Sequence, residues 1–368
     1  MLKQSESVFA SRVTLVAVLA LGLAVPAVAE KTQPTSIKGS MATENGVRVL
    51  RVWGTPYEQG YAHGYLLADR IKPLTEQILL GPIFWPEPQK YEQGIRNIAP
   101  AKFKFSAEQT RELEGMAAGI RARLGEDGVR FKAVDRPMDV TDLIVMNTLA
   151  DWQAGGCTSF AAWGPATRDG KMLVGRNLDF YTLPGIDEEH VVIAYLEPPA
   201  GRKRWITLSW PGLIGAYTGM NEDGLVIAEH DAPGPTSWTG GPYVPRTIAT
   251  REILETVDPA QMIEQSAKIL RDSPTFCGNN FLIAAPYTGQ PDPAVVFEYD
   301  ARGDLDGGAT LRKSDFKENL LPPHTIACTN HYRKRGKFQP CSRYDSVREI
   351  LTGNATGVLD VTWAQKIQ

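Results

Sequence analysis

Several patterns that would classify this sequence quickly are missing from it. The 368 residues contain four cysteines, none in a Cys-x-x-Cys pair, and five scattered histidines. Cysteine is too scarce for a disulfide-built scaffold, and no metal-ligand spacing or cofactor motif is present. The absence of Gly-x-Ser-x-Gly leaves an α/β-hydrolase nucleophile unsupported. Basic residues form no run longer than three and the net charge is −3, so we expect no nucleic-acid partner.

Long apolar runs are also lacking. The longest candidate, residues 13–25, is shorter than the about 20 residues that a membrane-spanning helix needs, so we expect no membrane span. Lys3 and Arg12 precede this run and Pro26-Ala27-Val28-Ala29 follows it, as in a secretory signal peptide. We therefore expect removal of residues 1–29, cleavage after Ala29, and a periplasmic or secreted protein.

The remaining chain changes character near its middle. Residues 30–45 are polar and predict a flexible entry. Helical patterns follow, opening after residue 54, at the Ser106 capping box (ending at Gly125), and over 141–152. After Gly155 the pattern predicts short strands, with one helical block over 246–270. The predicted strands are 47–53, 158–163, 172–180, 191–197, 205–210, 215–220, 225–229, 281–285, 294–299 and 325–328. This organisation predicts an α+β fold with antiparallel sheet and helices outside.

Cys157 stands at this change of character. Two glycines precede it, which permit a tight backbone, and a predicted strand follows it. The plain interpretation is a small buried side chain or half of a disulfide. The next predicted strand ends in Arg176 and Asp179, which a hairpin would bring near Cys157. A surface ion pair is the plain interpretation of these two charges.

Four blocks of sequence, in order, resemble the cysteine N-terminal-nucleophile (Ntn) hydrolases. They are Gly-Thr-Pro-Tyr-Glu-Gln-Gly-Tyr-Ala-His-Gly (54–64), Gly-Cys-Thr-Ser-Phe (156–160), Gly-Arg-Asn-Leu-Asp-Phe (175–180) and Gly-Met-Asn-Glu-Asp-Gly-Leu (219–225). The chain resembles in particular the autoproteolytic acyltransferase/hydrolase family that includes isopenicillin N acyltransferase, and more distantly the choloylglycine hydrolases and acid-ceramidase-like amidases. This resemblance, over about residues 47 to 350, implies a four-layer αββα sandwich of two antiparallel sheets flanked by helices.

The resemblance also implies self-processing. The precursor would cut itself between Gly156 and Cys157, giving a helical segment (30–156) that stays as partner of the hydrolase chain (157–368). The released α-amino group, with a pKa near 8, would then serve as base for the Cys157 thiol, and no catalytic histidine is needed. The thiol would form an acyl-enzyme that water or an amine resolves. The implied substrate is a small-molecule N-acyl amide with a linear C–N bond, and no cofactor or metal is implied. Homo-oligomerisation is left open.

Further site residues carry over from the family by position. Asp179 would accept a hydrogen bond from the Cys157 amino group, and Arg176 would supply positive charge beside the thiol. Asn280, with Asn279 as the fallback, matches an asparagine near the amino group or oxyanion. Arg343 matches a late arginine that orients the site. The plain interpretations are a turn residue for Asn280 and a surface charge at a helix start for Arg343.

One position departs from the family pattern. Where choloylglycine hydrolases carry an oxyanion-binding asparagine, this sequence has Asp231, and an ionised carboxylate would repel an oxyanion. Three explanations are open: Asp231 is protonated, His230 or a backbone N–H is the donor, or the alignment slips. The chain also ends in a helical pattern (361–368) where relatives continue with strand, which leaves open that the sequence is a fragment.

Two other functions are compatible with the sequence. One is a phospholipase-B-like ester hydrolase on the same scaffold, with an acyl pocket lined by Trp163, Trp210, Tyr217 and Trp238. The other is a non-catalytic envelope binding protein in which Cys157 forms a structural disulfide. Pairing among Cys277, Cys328 and Cys341 is open, with Cys328–Cys341 and Cys277–Cys328 as the candidates.

Overall fold

The helices and strands were located in a computed structural model, which describes residues 36–81, 87–152, 155–179, 185–232, 234, 236–237, 240–301, 308–336, 339–354 and 357–367. The expected signal peptide lies outside these residues. The helices are α1 (Pro56–Leu80), α2 (Pro88–Gln93), α3 (Ile95–Lys102), α4 (Ala107–Gly128), α5 (Val140–Met146), α6 (Leu149–Trp152), α7 (Arg246–Thr256), α8 (Met262–Asp272), α9 (Ser342–Asn354) and α10 (Val361–Ile367).

The strands form two principal sheets. They are β1 (Gly39–Glu44), β2 (Val47–Val52), β3 (Arg130–Phe131), β4 (Arg136–Pro137), β5 (Gly156–Ala162), β6 (Leu173–Asp179), β7 (Val191–Tyr195), β8 (Trp205–Ser209), β9 (Thr218–Asn221), β10 (Val226–Ala232), β11 (Gly278–Ala284), β12 (Ala294–Tyr299), β13 (Ala309–Arg312) and β14 (Thr325–Thr329). Within the described residues the large sheet has the order β1-β2-β7-β8-β9-β10-β11-β12-β13 and the small sheet has the order β14-β5-β6. A separate hairpin joins β3 and β4.

The two sheets and the helices stack in four layers. Because side chains alternate along a strand, β11 and β12 send Phe281 and Phe297 to the helical side of the large sheet. The same strands send Leu282 and Val296 to the small sheet, where they meet Trp163. The outer face of the small sheet packs on α9 and α10 through a third apolar cluster. The order helix, sheet, sheet, helix confirms the αββα sandwich expected from the sequence.

The large sheet is not antiparallel throughout. Strand β2 pairs with β7 in parallel, with Leu50 opposite Ile193, whereas its other pairings are antiparallel. The reason is topological, since all of α1 to β6 intervenes between these two strands. The expectation of two purely antiparallel sheets was wrong at this one pairing.

Three other predictions of local structure were wrong. Part of the polar entry forms the edge strand β1, whose backbone pairs with β2. The helix predicted over 141–152 breaks at Asn147, whose side-chain amide donates to the carbonyl of Gly212 at 2.9 Å instead of facing solvent. The block over 246–270 is two helices, because a 3₁₀ turn that starts at Pro259 separates α7 from α8. Each difference reflects a contact with a distant part of the chain or a local breaker.

Helices α1 and α4 approach each other unusually closely. A Cβ added at Gly64 of α1 would lie 2.1 Å from the main-chain oxygen of Met116, and one at Gly119 of α4 would lie 2.2 Å from that of Tyr61. Glycines on both helices therefore allow main chain to pack against main chain. The pair forms a rigid support over the end of the large sheet that holds β2 and β7. No helix among the described residues is long and apolar enough to cross a membrane.

Candidate active site

Cys157 lies near the start of β5, on the face of the small sheet that turns toward the large sheet. In the β5–β6 hairpin Cys157 pairs with Leu178, Gly156 pairs with Asp179, and Ser159 pairs with Arg176. Cys157 is 2% exposed. The expected hairpin therefore places the candidate nucleophile between the two sheets, and the Gly156–Cys157 peptide bond at the open end of the hairpin.

The thiol of Cys157 contacts the guanidinium of Arg176. Nη2 of Arg176 lies 3.4 Å from the Cys157 sulfur and donates to the main-chain oxygen of Glu229 at 2.6 Å. Burial raises the pKa of Cys157 to about 11, although the positive charge of Arg176 acts in the opposite direction. With the Gly156–Cys157 bond intact the thiol is therefore protonated at neutral pH, and a base is needed to activate it.

Asn330 contacts both sides of the Gly156–Cys157 bond. Its Oδ1 accepts from the N–H of Cys157 at 2.5 Å, and its Nδ2 donates to the main-chain oxygens of Gly155 at 3.1 Å and Asp231 at 2.8 Å. Sequence reasoning missed this residue. The available signal was its position shortly after the predicted strand 325–328, but only the pairing of Thr329 with Thr158 brings it to the site.

Arg343, at the start of α9, contacts the residue on the other side of the same bond. Its Nη1 donates to the main-chain oxygen of Cys157 and, at 3.2 Å, to Oγ1 of Thr158. Its Nη2 donates to Oδ1 of Asn330 at 2.7 Å. The structure thus places this predicted arginine on the nucleophile's own backbone.

Asp231 holds Gly155, the residue before Gly156. One carboxylate oxygen accepts from the N–H of Gly155, and the other forms an ion pair with Nη2 of Arg246. Arg246 is 3% exposed and also lies 3.4 Å from a carboxylate oxygen of Glu229. Asp231 therefore faces a guanidinium and a peptide N–H, which stabilise a carboxylate.

Buried groups around Arg176 and Arg246 have shifted pKa values. Burial raises the pKa of Asp151 to about 7, with the charge of Arg246 opposing. Burial also raises the pKa of Glu229. The pKa of His230 is lowered well below its usual range, mainly by burial and also by the charge of Arg176. His230 is consequently neutral, with its Nδ1 3.2 Å from the main-chain oxygen of Asn280.

The remaining predicted residues occupy different positions around the site. Asp179 is exposed and accepts from the side-chain amide of Asn177 at 3.0 Å. It lies across from Gly156 and not on the Cys157 N–H, which Asn330 holds. Its role toward a freed amino group stays a prediction.

Asn280 and Asn279 point to opposite faces of β11. The amide of Asn280 donates to the main-chain oxygens of Thr329 at 2.9 Å and His331 at 3.2 Å, the two residues that flank Asn330. Asn279 accepts from Arg246 at 2.9 Å. Asn280 therefore fixes the loop that carries Asn330, whereas Asn279 belongs to the charge cluster around Arg246.

All four cysteines are buried free thiols. Neither Cys328–Cys341 nor Cys277–Cys328 is bonded, and Cys157 has no disulfide partner. Among the described residues no group of three or more His, Cys, Asp or Glu side chains could hold a metal ion.

Two apolar cavities flank the inner face of β6. A small one, of about 30 Å³, is lined by Leu178, Trp210 and Tyr217. A groove of about 690 Å³ lies on the other side, where β6 runs over β8, β9 and β10, and its lining includes Arg176, Leu208 and Met220. Trp163 packs in the core between the sheets, and Trp238 lies outside the described residues. The groove has room for a small-molecule group beside Arg176, which contacts the Cys157 sulfur.

The family model of acyl-coenzyme A:6-aminopenicillanic acid acyl-transferase matches residues 166–352. The chain belongs to this family. The name of the family describes an acyl-transferase. The match begins after Cys157 but contains Arg176, Asp231, Asn330 and Arg343, so this acyl-transferase family match covers most of the residues that surround the thiol.

Two curated proteins resemble part of the chain in sequence. An uncharacterized protein of Archaeoglobus fulgidus is 26% identical over 51% of this chain and 33% of its own length. Protein dcd1B of Dictyostelium discoideum is 23% identical over 48% of this chain and 37% of its own length. This acyl-transferase family chain thus spans about a third of the length of the relatives it matches.

Solved structures also resemble part of the chain. The Caenorhabditis elegans ortholog of N-acylethanolamine-hydrolyzing acid amidase is 14% identical, with a TM-score of 0.41 over 57% of this chain and 85% of the other. A variant of conjugated bile acid hydrolase from Clostridium perfringens is 17% identical, with a TM-score of 0.37 over 57% and 77%. TM-scores this low carry no information about activity.

Proposed function

We propose that this protein is an exported, self-processing amidohydrolase or acyltransferase that cleaves linear amide bonds through Cys157. The observation that carries the proposal is the set of side-chain hydrogen bonds that hold the backbone on both sides of the Gly156–Cys157 bond. Side chains hold Gly155 and Cys157, the two neighbours of Gly156 in the chain, through Asp231, Asn330 and Arg343. Cys157 therefore carries both the buried thiol and the nitrogen atom of the bond that would be cut.

Self-cleavage would proceed as an acyl shift from nitrogen to sulfur. The Cys157 thiol loses its proton, the sulfur attacks the carbonyl carbon of Gly156, and the C–N bond breaks as its nitrogen takes up a proton. A thioester links Gly156 to the Cys157 sulfur at that stage. One water molecule then hydrolyses the thioester, which leaves a carboxylate on Gly156 and restores the thiol.

The product of this cleavage supplies the base that the uncut chain lacks. The new α-amino group of Cys157 has an ordinary pKa near 8 and is attached to the same residue as the thiol. It takes the thiol proton during attack on an amide and returns it to the departing amine. His230 and His63 are poor bases for this role, because burial lowers the pKa of His230 well below its usual range and that of His63 to about 3. Nε2 of His63 accepts from the N–H of Gly212 at 3.0 Å, which is a structural contact.

Turnover then follows the route of a thiol acyl-enzyme. The sulfur attacks the substrate carbonyl, the amine leaves with the proton from the α-amino group, and a thioester remains on Cys157. Water releases the acid, or a second amine accepts the acyl group. Positive charge from Arg176, 3.4 Å from the sulfur, stabilises the thiolate as it forms.

We place the acyl group of the substrate in the groove between β6 and β8 to β10. The groove is largely apolar, has a volume of about 690 Å³ and reaches Arg176. Leu208 and Met220 are 48% and 43% exposed there, so an apolar acyl chain would cover apolar surface that now faces solvent. The substrate class is therefore a small N-acyl amide with an apolar acyl group.

The test is to trap the acyl-enzyme. Purified protein is mixed with a series of N-acyl amides of increasing chain length and the matched esters, quenched in acid, and its chains are weighed by mass spectrometry. We expect an acyl adduct on the chain that contains Cys157, absent from Cys157→Ala and present in Cys341→Ala. Turnover of esters alone would identify an ester hydrolase, and an absence of any adduct or turnover would contradict the proposal.

A further inference from the structure

The peptide that precedes the nucleophile is held by a carboxylate. The N–H of Gly155 donates to Asp231, and the carbonyl of Gly155 accepts from Nδ2 of Asn330 at 3.1 Å. The N–H and the carbonyl of Gly155 therefore both bind side chains that come later in the sequence, one from β10 in the large sheet and one that follows β14 in the small sheet. Gly155 would otherwise lack the restraint of regular structure, because β5 begins only at Gly156.

Asp231 is itself locked in place. Its second carboxylate oxygen is ion-paired with Arg246, whose Nη1 donates to Oδ1 of Asn279 at 2.9 Å. The main-chain N–H of Arg246 points at the carboxylate of Asp151, at 3.4 Å to each oxygen. Arg246 and Asp151 are 3% and 4% exposed, so turning the carboxylate of Asp231 away would remove one of the two carboxylates that pair with a buried guanidinium.

The contacts lie on both sides of one peptide bond. Asp231 and Asn330 hold Gly155, while Asn330 and Arg343 hold the N–H and the carbonyl of Cys157. Fixing Gly155 and Cys157, on either side of Gly156, restrains the Gly156–Cys157 peptide bond. Restraint of this kind accelerates an intramolecular attack by removing motions that lead elsewhere.

We infer that Asp231, locked by Arg246, is a positioning residue for self-cleavage at Gly156–Cys157. The inference rests on the proposed self-processing. It also accounts for an aspartate where an oxyanion-binding asparagine was expected, because this carboxylate faces an N–H donor and a guanidinium instead of a developing oxyanion. Asp231 acts through Gly155 and not on the reacting atoms.

The test compares rates of self-cleavage in the full chain. Each variant is purified in denaturant, which stops processing, and then refolded; the fraction cut before Cys157 is followed by intact mass. Loss of a hydrogen bond to a charged acceptor predicts cleavage about 10- to 100-fold slower in Asp231→Ala. Asp231→Asn keeps an acceptor for the Gly155 N–H and should be intermediate. Glu229→Gln is the matched control: it changes another carboxylate beside Arg246 that does not hold Gly155, and it should slow cleavage less than about threefold.

A second readout separates positioning from folding and from turnover. Thermal unfolding reports whether a variant is folded, and turnover per cleaved chain is measured once cleavage has accumulated. In Asp231→Ala we expect self-cleavage to fall by a larger factor than turnover per cleaved chain. Equal losses in both rates, or an equal slowing in Glu229→Gln, would overturn the assignment, as would cleavage of Asp231→Ala at the normal rate. If the unsubstituted chain is never cut, the proposed function fails and the inference falls with it.

Discussion

Substitution of Asn330 is the most informative single test of how this site aligns the Gly156–Cys157 bond. In Asn330→Ala two contacts to the peptide are lost: the acceptor for the Cys157 N–H at 2.5 Å and the donor to the Gly155 carbonyl at 3.1 Å. At about 1 kcal/mol net for each hydrogen bond, the loss is about 2 kcal/mol. If these contacts align the bond for attack, that energy corresponds to self-cleavage about 30-fold slower.

The assay is a time course of intact mass after refolding, with Asn97→Ala as the control. Asn97 is exposed and donates to the main-chain oxygen of Glu92, remote in sequence from the nucleophile. Asn330→Asp is the second variant, since it retains an oxygen for the Cys157 N–H but turns another oxygen toward two carbonyls. It should also be slow. Cleavage of Asn330→Ala at the rate of the control, in a protein with normal thermal stability, would refute the reasoning.

Three further predictions concern stability, pH and specificity. Gly64→Ala should lower the free energy of unfolding by about 1–3 kcal/mol in a denaturant titration, because the main chain of α4 occupies the position of the added Cβ. The control Gly353→Ala should leave this free energy unchanged, because its Cβ would meet open space. Equal effects of the two substitutions would contradict the close helix contact. Because burial raises the pKa of Cys157 to about 11 in the uncut chain, the thiolate fraction grows with pH, so the initial cleavage rate should rise between about pH 7 and 9; a flat or falling rate would contradict thiolate attack. Leu208→Trp should raise KM about tenfold for substrates with long acyl chains and hardly for those with short ones. The control Met41→Trp, on exposed β1, should leave KM unchanged for both kinds of substrate. If Leu208→Trp has no effect on KM, the acyl group binds elsewhere.

Much of the fold follows from local patterns in the sequence. The hairpin that carries Cys157 and Arg176 was predictable because two short strand-like runs, 158–163 and 172–180, follow one another with a turn between them. The Ser106 capping box was also predictable, and Ser106 accepts from the N–H of Gln109 in the structure. Gly125 marked the predicted end of that helix, and the backbone kinks there.

The features that the sequence did not predict depend on distant pairings. Strand β1 is polar and exposed, so only its hydrogen bonds to β2 define it. Asn330 looks like any residue after a strand, and its place at the site follows from the pairing of β14 with β5, strands that are far apart in the sequence. The sequence shows Asp231 as a departure from a family pattern. It does not show the partners of Asp231, because Gly155 is distant in sequence and Arg246 lies at the start of a separate helix, α7.

The most direct test of the central claim is the mass and N-terminal sequence of the purified chains. The account predicts two chains, the second beginning at Cys157, and a single uncut chain in Cys157→Ala. Cys341→Ala, which removes another buried thiol, should be cut normally. A single chain that is active without a cut before Cys157, or normal cleavage in Cys157→Ala, would contradict the account.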